Sequence, residues 1–297
     1  MSRPRVQTRP EARLHRHLIG SLRRQWKRYR KRLKKCQEKF TEEAVHDFRV
    51  EARRLLSVLG LIAVFDKAGR VRRASRAVKA HLDTFDTLRD TQVHLLRVAP
   101  LCQRFAEARR FQDYLRKREK KCAAAAAREV QRIKTKRLER WLNELEDDLR
   151  RRRKQGEARH DFAAVIAAVD RAFAAVSRYR QEISASRPQT IHRTRIAFKR
   201  FRYMVEALAT LLPGEHEEWL RAMQAYQTMM GDVQDVEVAR ERLERFAEKR
   251  QDPVAAVNSL KQEFERESKA AVRACLVNAD RLYDFWRRLP PTGKDPT

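Results

Sequence analysis

One ten-residue pattern occurs twice in this 297-residue sequence, and this repetition constrains the fold more than any other feature. The first copy is residues 45–54, VHDFRVEARR, and the second is residues 191–200, IHRTRIAFKR. A second pair of similar blocks, residues 88–93 and 233–238, follows in the same order and at nearly the same offset, 145 residues instead of 146. A repeat of such long period indicates that the chain folds as two related halves.

The composition predicts that both halves are helical. Glycine and proline are scarce, at 7 and 9 residues, and the abundant residues Ala, Arg, Leu, Glu and Lys are good helix formers. Gly231 is expected to end one helix, and Asp252-Pro253 to begin the last one. The expected helices are 8–38, 42–66, 70–88, 91–121, 123–153, 160–184, 188–212, 215–230, 233–250 and 253–288. We therefore predict an all-α protein.

The charge of the chain predicts an anionic partner. Lys and Arg number 69 against 40 Asp and Glu, which gives a formal net charge of +29, while 42% hydrophobic residues suffice for a real core. The four cysteines show no metal-ligand spacing, so we expect neither a metal site nor a cofactor. The N-terminus lacks the apolar run of a signal peptide, and no stretch approaches the roughly 20 apolar residues of a membrane helix. We expect a cytoplasmic protein with no membrane contact.

The first copy of the pattern predicts a helix with one apolar and one cationic face. At about 100° per residue, His46, Arg49 and Arg53 fall within about 60° of one another. Phe48 points to the opposite side, and Arg54 lies on the flank. A solvated helix face usually mixes charges of both signs, but this stripe contains no acidic residue. The cationic stripe is therefore a candidate site for an anion.

The second copy has the same two faces. Its apolar face contains Phe198 and Phe201. The residues on or beside its cationic stripe are His192, Arg195, Lys199, Arg200, Arg202 and Tyr203. We expect these residues to bind the same anion as the first stripe.

Four further cations could extend the site. Arg72, Arg76 and Lys79 share one face of the third predicted helix, and Arg89 lies in the second repeated block. An exposed basic helix without function explains the first three equally well.

The repeated pattern, H-x-x-R-[VI]-x-x-[RK]-R, resembles the CHAD family, which is named for conserved histidines in an α-helical domain. The second copy is the better match, because it continues through Phe201-Arg202-Tyr203. The resemblance covers residues 10–289, roughly, and the blocks around Asp90 and Asp235 also share it. Leu56 occupies the position of Arg202 in the first copy, where the family commonly has Arg, so the first half is expected to bind more weakly there.

The resemblance implies a specific architecture and ligand. It implies a single domain of two helical bundles, residues 10–155 and 156–289, related by a pseudo-two-fold axis around a central basic groove or pore. Residues 1–9 and 290–297 are expected to be flexible tails. The implied ligand is inorganic polyphosphate, and the implied location is the polyphosphate granule. Neither the oligomeric state nor the preferred chain length follows from the sequence.

Polyphosphate suits these residue types. Arg presents a planar fork to two phosphate oxygens, and Lys presents a mobile point charge. His46 and His192 lie near predicted helix starts, where free N–H groups also favour anions. Bound phosphate favours protonated imidazole, so we expect affinity to fall as the pH rises through neutrality. Asp90 and Asp235 are expected to orient basic side chains.

Three other functions are consistent with parts of the sequence. Non-specific nucleic-acid binding would share the charge, but the phenylalanines of the repeat lie on predicted core faces instead of among the cations. A phosphate-processing enzyme is suggested by Glu265-Arg266-Glu267-Ser268-Lys269, the E-x-E-x-K of triphosphate-tunnel enzymes, yet this segment falls in a predicted helix. A scaffold that recruits other proteins is neither supported nor excluded. We expect a binding protein that is not an enzyme.

Overall fold

The computed structural model describes residues 10–212, 214, 216–250 and 257–286. In that part of the chain, ten α-helices and a few short 3₁₀ turns account for the regular structure, and one isolated bridge between Ser184 and Arg187 is the sole β-type pairing. The prediction of an all-α protein is confirmed. The expected tails and the Asp252-Pro253 helix start lie outside the described residues.

The helices follow one another with short connections. In chain order they are α1 (Pro10–Glu38), α2 (Glu42–Ile62), α3 (Arg70–Asp83), α4 (Asp86–Val98), α5 (Ala106–Arg132), α6 (Lys136–Lys154), α7 (Ala158–Gln181), α8 (Gln189–Leu208), α9 (Glu217–Arg250) and α10 (Asn258–Asn278).

Local chemistry explains several of the boundaries. Thr41 caps α2, since its side chain accepts a hydrogen bond from the Ala44 backbone N–H, and two acidic residues follow in the first turn. Gly156, with φ of 76°, lies between α6 and α7, where the left-handed conformation strains other residues. The last turn of α6 is basic, which suits the negative end of its dipole. The chain therefore turns at residues 155–157, where the joint between the halves is expected.

Several predicted boundaries are wrong. The expected helices 91–121 and 123–153 are instead α4, α5 and α6. The chain changes from α- to 3₁₀-helix after Val98, and it is extended at Phe105 and again at Ile133. Gly231 does not end a helix, since α9 continues through it from Glu217 to Arg250. The break after Val98 coincides with Pro100, a local breaker inside the expected helix 91–121, whereas α9 continues through the breaker signal at Gly231.

Two hydrophobic clusters hold the helices together. The larger one joins α1–α3 and α6–α8 and contains the fully buried Phe48, Phe198 and Phe201. The smaller one joins the end of α4 and α5 to α9 and α10, with Phe111 against Phe246 at 5.4 Å between ring centroids. Both clusters draw on residues from each side of the 155/156 joint. The two predicted halves are thus packed into one body.

A buried hydrogen bond connects the beginnings of α1 and α7. The His15 Nε2 atom lies 2.7 Å from the Asp161 Oδ2 atom, and both side chains are almost inaccessible to solvent. Arg152 donates two further hydrogen bonds to this carboxylate, at 2.8 and 2.7 Å. Asp161 follows His15 by 146 residues, which is the offset between His46 and His192.

Candidate functional site

The two cationic stripes meet where α2 packs against α8. Burial of Phe48 and Phe198 in the core fixes the rotation of each helix about its axis. Lys199 of α8 then lies close to Arg49 and Arg53 of α2. We call Arg49, Arg53, Arg195 and Lys199 the central cluster.

Lys199 shows how strongly these cations interact. Its pKa is lowered to about 8, first by burial and then by the positive charges of Arg53, Arg195 and Arg49, while Asp86 opposes the shift. In the free protein, the charged form of a lysine in these surroundings is energetically unfavourable. A bound anion would reverse that cost.

Arg49 is held by an acidic partner. Its Nη1 atom donates a hydrogen bond to Asp86 at the start of α4 at 2.9 Å. Burial and the neighbouring charges of Arg53 and Arg89 lower its pKa, whereas Asp86 raises it. The Arg49 side chain is 10% exposed and that of Asp86 is 55% exposed. An incoming anion must therefore compete with Asp86 for Arg49.

Two carboxylates, one from each half, lie beside the cluster. Burial raises the pKa of Asp235, Arg195 lowers it, and the nearby Asp90 raises it further. Burial also raises the pKa of Asp90, against the opposite effect of Arg242 and Arg49. These acids interact with the arginines around them. Asp90 and Asp235 are expected to orient basic side chains. This arrangement favours that expectation, which stays a prediction.

Arg202 is the most fully engaged of the predicted ligands. It donates to Gln227 Oε1 at 3.0 Å and to Glu206 Oε2 at 3.2 Å, and its guanidinium lies 4.6 Å from the centre of the Tyr203 ring. Its side chain is 10% exposed. These contacts leave Arg202 fewer free donors than Arg53 or Lys199. The weaker binding expected of the first copy, where Leu56 takes this position, stays a prediction.

The two histidines differ in environment. His192 is partly buried, its Nδ1 atom has no hydrogen-bond partner, and burial together with Arg195 lowers its pKa. It is therefore neutral at neutral pH in the free protein. His46 is exposed near the start of α2, and the structure records no contact between it and the central cluster within the described residues. His192, beside Arg195, is the histidine placed at the cluster.

The remaining predicted residues divide into two groups. Arg89 is near the central cluster, because its charge affects Arg49. The others are exposed: Arg54, which pairs with Glu51 at 2.8 Å, Arg200 on α8, and Arg72, Arg76 and Lys79 on α3. In the described part of the chain nothing connects the α3 residues to the cluster. Their binding contribution stays a prediction without structural support.

The structure contains a second group of basic residues, three arginines around a buried histidine, that the sequence motifs did not identify. His94 is 2% exposed, and its pKa is lowered to about 4 by burial and by Arg242, Arg97 and Arg118. We call these four residues the second cluster. Arg97 also affects Asp235, and Arg242 affects Asp90, so the two carboxylates lie between the clusters. The repeat was a usable signal for Arg97 and Arg242, since each follows its block's aspartate by seven residues, but Arg118 has no such signal.

Several neighbouring pairs join equivalent positions of the repeat. Arg53 and Lys199 are 146 residues apart, as are His15 and Asp161, and Asp90 and Asp235 are 145 apart. Equivalent positions of two related halves meet when they lie near a two-fold axis. These contacts support the expected pseudo-two-fold relation, which itself stays a prediction.

These features define an all-helical protein with clustered, partly buried cations. A family model described as the CHAD domain matches residues 17–244, so the chain belongs to the CHAD family. The resemblance found in the repeated motif is confirmed.

Two solved structures share the fold. The CHAD domain from the plant Ricinus communis aligns with a TM-score of 0.62 at 20% identity, covering 92% of this chain and 91% of that one. PptA from Streptomyces chartreusis aligns with a TM-score of 0.66 at 14% identity, covering 90% of this chain and 99% of that one. No curated protein matches the sequence.

The described residues offer neither a membrane-spanning helix nor a cluster of metal-binding side chains. No described helix combines the length and apolarity that crossing a membrane requires. No group of three or more His, Cys, Asp or Glu side chains in that part of the chain could hold a metal ion.

The strained environment of Lys199 leads to a stability prediction. The native state favours its neutral form, so its charge opposes folding below pH 8, and stability rises with pH between the folded pKa near 8 and the ordinary value of 10.5. We predict that Lys199→Met raises the free energy of unfolding at pH 7 by about 1–2 kcal/mol. The gain should shrink when urea unfolding is repeated near pH 10. The exposed Lys120→Met is the control, and an equal gain there, or a loss of stability in Lys199→Met, would contradict the prediction.

Proposed function

We propose that this protein binds inorganic polyphosphate, without transforming it chemically, across the central cluster between α2 and α8. The observation that carries the proposal is the position of Lys199 among three arginines from both copies of the repeat. Like charges brought together and partly withdrawn from water destabilise the free protein. A ligand with many closely spaced negative charges removes that cost.

The donor groups of the cluster suit phosphate oxygens. Arg53 and Lys199 are partly buried and carry no ion pair in the described structure, so their N–H groups are available to a ligand. Arg195 has a buried Nε–H without a partner. Guanidinium groups bind two phosphate oxygens at once, and the lysine adds a movable charge. A flexible chain with a charge on each unit can engage all of them together.

The arrangement of aromatic residues disfavours a nucleic acid as the preferred ligand. Single-stranded nucleic acids are bound by aromatic side chains on which bases stack. Phe48, Phe198 and Phe201 are fully buried in the core. Tyr203 borders the cluster, but Arg202 lies over its ring at 4.6 Å and Lys199 at 6.0 Å. Weak binding of nucleic acid through charge alone is expected at low salt.

The position of the E-x-E-x-K segment, residues 265–269, gives little support to a catalytic function. The segment lies within α10, where residues two apart point about 200° from each other. Glu267 pairs with Arg97 at 2.8 Å, and Glu265 lines a different part of the surface with Arg266 and Lys269. We propose that these acids are structural, and, from the family, that the protein associates with polyphosphate granules.

Removing one arginine from each stripe tests the site. We predict that Arg49→Ala combined with Arg195→Ala lowers the affinity for long-chain polyphosphate at least about 100-fold, since charged hydrogen bonds contribute about 1.5–3 kcal/mol each. Isothermal titration with chains of several lengths provides the measurement, and longer chains should bind wild type more tightly. Arg116→Gln combined with Arg128→Gln, which removes two exposed cations of α5, is the control for net charge. Equal affinity of the double alanine variant and wild type would exclude this site.

Competition separates polyphosphate from nucleic acid. Short duplex DNA and RNA are added to the polyphosphate complex at equal phosphate concentration. We expect neither to displace the long chain. Displacement by either would contradict polyphosphate as the preferred ligand.

The pH dependence should have two parts. Phosphate oxygens raise the pKa of neighbouring cations, so binding is accompanied by proton uptake wherever the free group is neutral. Affinity should therefore fall as the pH rises above about 8, where Lys199 of the free protein loses its proton. Affinity should also fall as the pH rises from acid values to neutrality, because His192 of the free protein becomes neutral over that range. Lys199→Arg should flatten the alkaline part alone, and His192→Gln the acid part alone. An unchanged profile in both variants would contradict the assignment of these two side chains.

The second cluster should matter for long chains. A polyphosphate that spans both clusters gains a second, intramolecular set of contacts, which a short one cannot make. We predict that Arg118→Gln lowers the affinity for long-chain polyphosphate several-fold and leaves tripolyphosphate binding unchanged. Arg116→Gln, which removes an exposed charge from the same helix, is the matched control. Equal losses for both chain lengths, or no loss for either, would contradict a continuous path.

A further inference from the structure

Gly231 occupies an unfavourable place for glycine. It lies inside the uninterrupted helix α9 and is buried. Its φ is not positive, unlike that of Gly69, Gly156 and Gly214. Glycine weakens a helix interior relative to alanine, and a regular helical residue needs no conformational freedom. The reason for glycine here must be the missing side chain.

The space next to Gly231 is occupied by Arg195. A Cβ atom placed on Gly231 would lie 3.3 Å from the Arg195 Nε atom, 3.4 Å from Nη2 and 3.6 Å from Cζ. Three atoms of one guanidinium group at nearly equal distances show that the group lies directly against the backbone of α9. These distances are at or below ordinary contact, so alanine at 231 would displace the guanidinium.

The same face of α9 supports two cations of α8. Gln227 and Asp235 lie one turn before and one turn after Gly231 and therefore on its side of the helix. Gln227 accepts a hydrogen bond from Arg202, and Asp235 interacts with Arg195. Between these two polar side chains, Gly231 leaves a gap into which the Arg195 guanidinium fits.

We infer that Gly231 is a positioning residue for polyanion binding: its missing side chain sets where the Arg195 guanidinium lies relative to the other three cations of the central cluster. The inference rests on the proposed function. A methyl group at 231 would push the guanidinium a few tenths of an ångström away from the backbone of α9 and so change its position relative to Lys199, whose positive charge it faces. Positioning of this accuracy determines whether a charged hydrogen bond is made.

Two glycine variants provide the test. Gly231→Ala should lower the affinity for long-chain polyphosphate about tenfold, the effect of weakening one charged hydrogen bond, while its melting temperature stays the same or rises. Gly60→Ala is the control, because Gly60 is also helical and a Cβ there has no atom within 4 Å. It should gain the same helix preference and bind like wild type. Unchanged affinity in Gly231→Ala would overturn the inference.

A double-mutant cycle shows whether the effect passes through Arg195. In an Arg195→Gln background, Gly231→Ala should cause no further loss of affinity. A loss of the same size in both backgrounds would mean that the alanine acts elsewhere and would overturn the inference. If the wild-type protein does not bind polyphosphate, the proposed function fails. If wild type and Gly231→Ala both bind it tightly, the proposed function stands and only the inference about Gly231 fails.

Discussion

The structure depends on two opposing interactions: the favourable burial of apolar side chains between α2 and α8, and the electrostatic repulsion among the cations that this packing brings together. Burial of Phe48 and Phe198, each contributing about 2–3 kcal/mol, fixes the facing sides of α2 and α8. With those faces fixed, Arg49 and Arg53 share a space with Lys199, and burial together with these positive charges lowers the pKa of the lysine. Hydrophobic burial is thus strong enough to hold together cations that repel one another. The proposed binding site depends on the core overriding that repulsion.

The acidic residues near the clusters reduce the repulsion among the cations without removing it. Asp86 holds Arg49, while Asp90 and Asp235 interact with arginines of both clusters. Such partners keep guanidinium groups in defined positions before a ligand arrives, which reduces the ordering cost of binding. They also oppose any anion that approaches, so a weakly charged ligand gains little. Under the proposed function, a dense polyanion would supply enough charge to overcome them, and selectivity would follow charge density instead of base sequence or shape.

Periodicity predicted which face of each repeated helix is buried, and the structure confirms this for Phe48, Phe198 and Phe201. It could not predict the partners that decide how available each cation is. Arg202 and Arg54 lie in equally basic motifs, yet one is held by Gln227 and the other is exposed beside Glu51. Those partners come from helix packing and neighbouring turns. The same limit applies to Arg118, whose approach to His94 depends on how α5 packs in the fold.

The prediction that a helix ends at Gly231 is wrong for a specific physical reason. A glycine followed by aspartate is a common end-and-start signal for helices, because glycine accommodates the left-handed turn and aspartate caps the next helix. That rule considers the glycine's own backbone and ignores what lies beside it. In α9 the backbone is regular, and the space belongs to a guanidinium 36 residues earlier in the chain. A local rule fails here because a side chain from another helix needs the volume, and such failures are expected where a functional group must be placed.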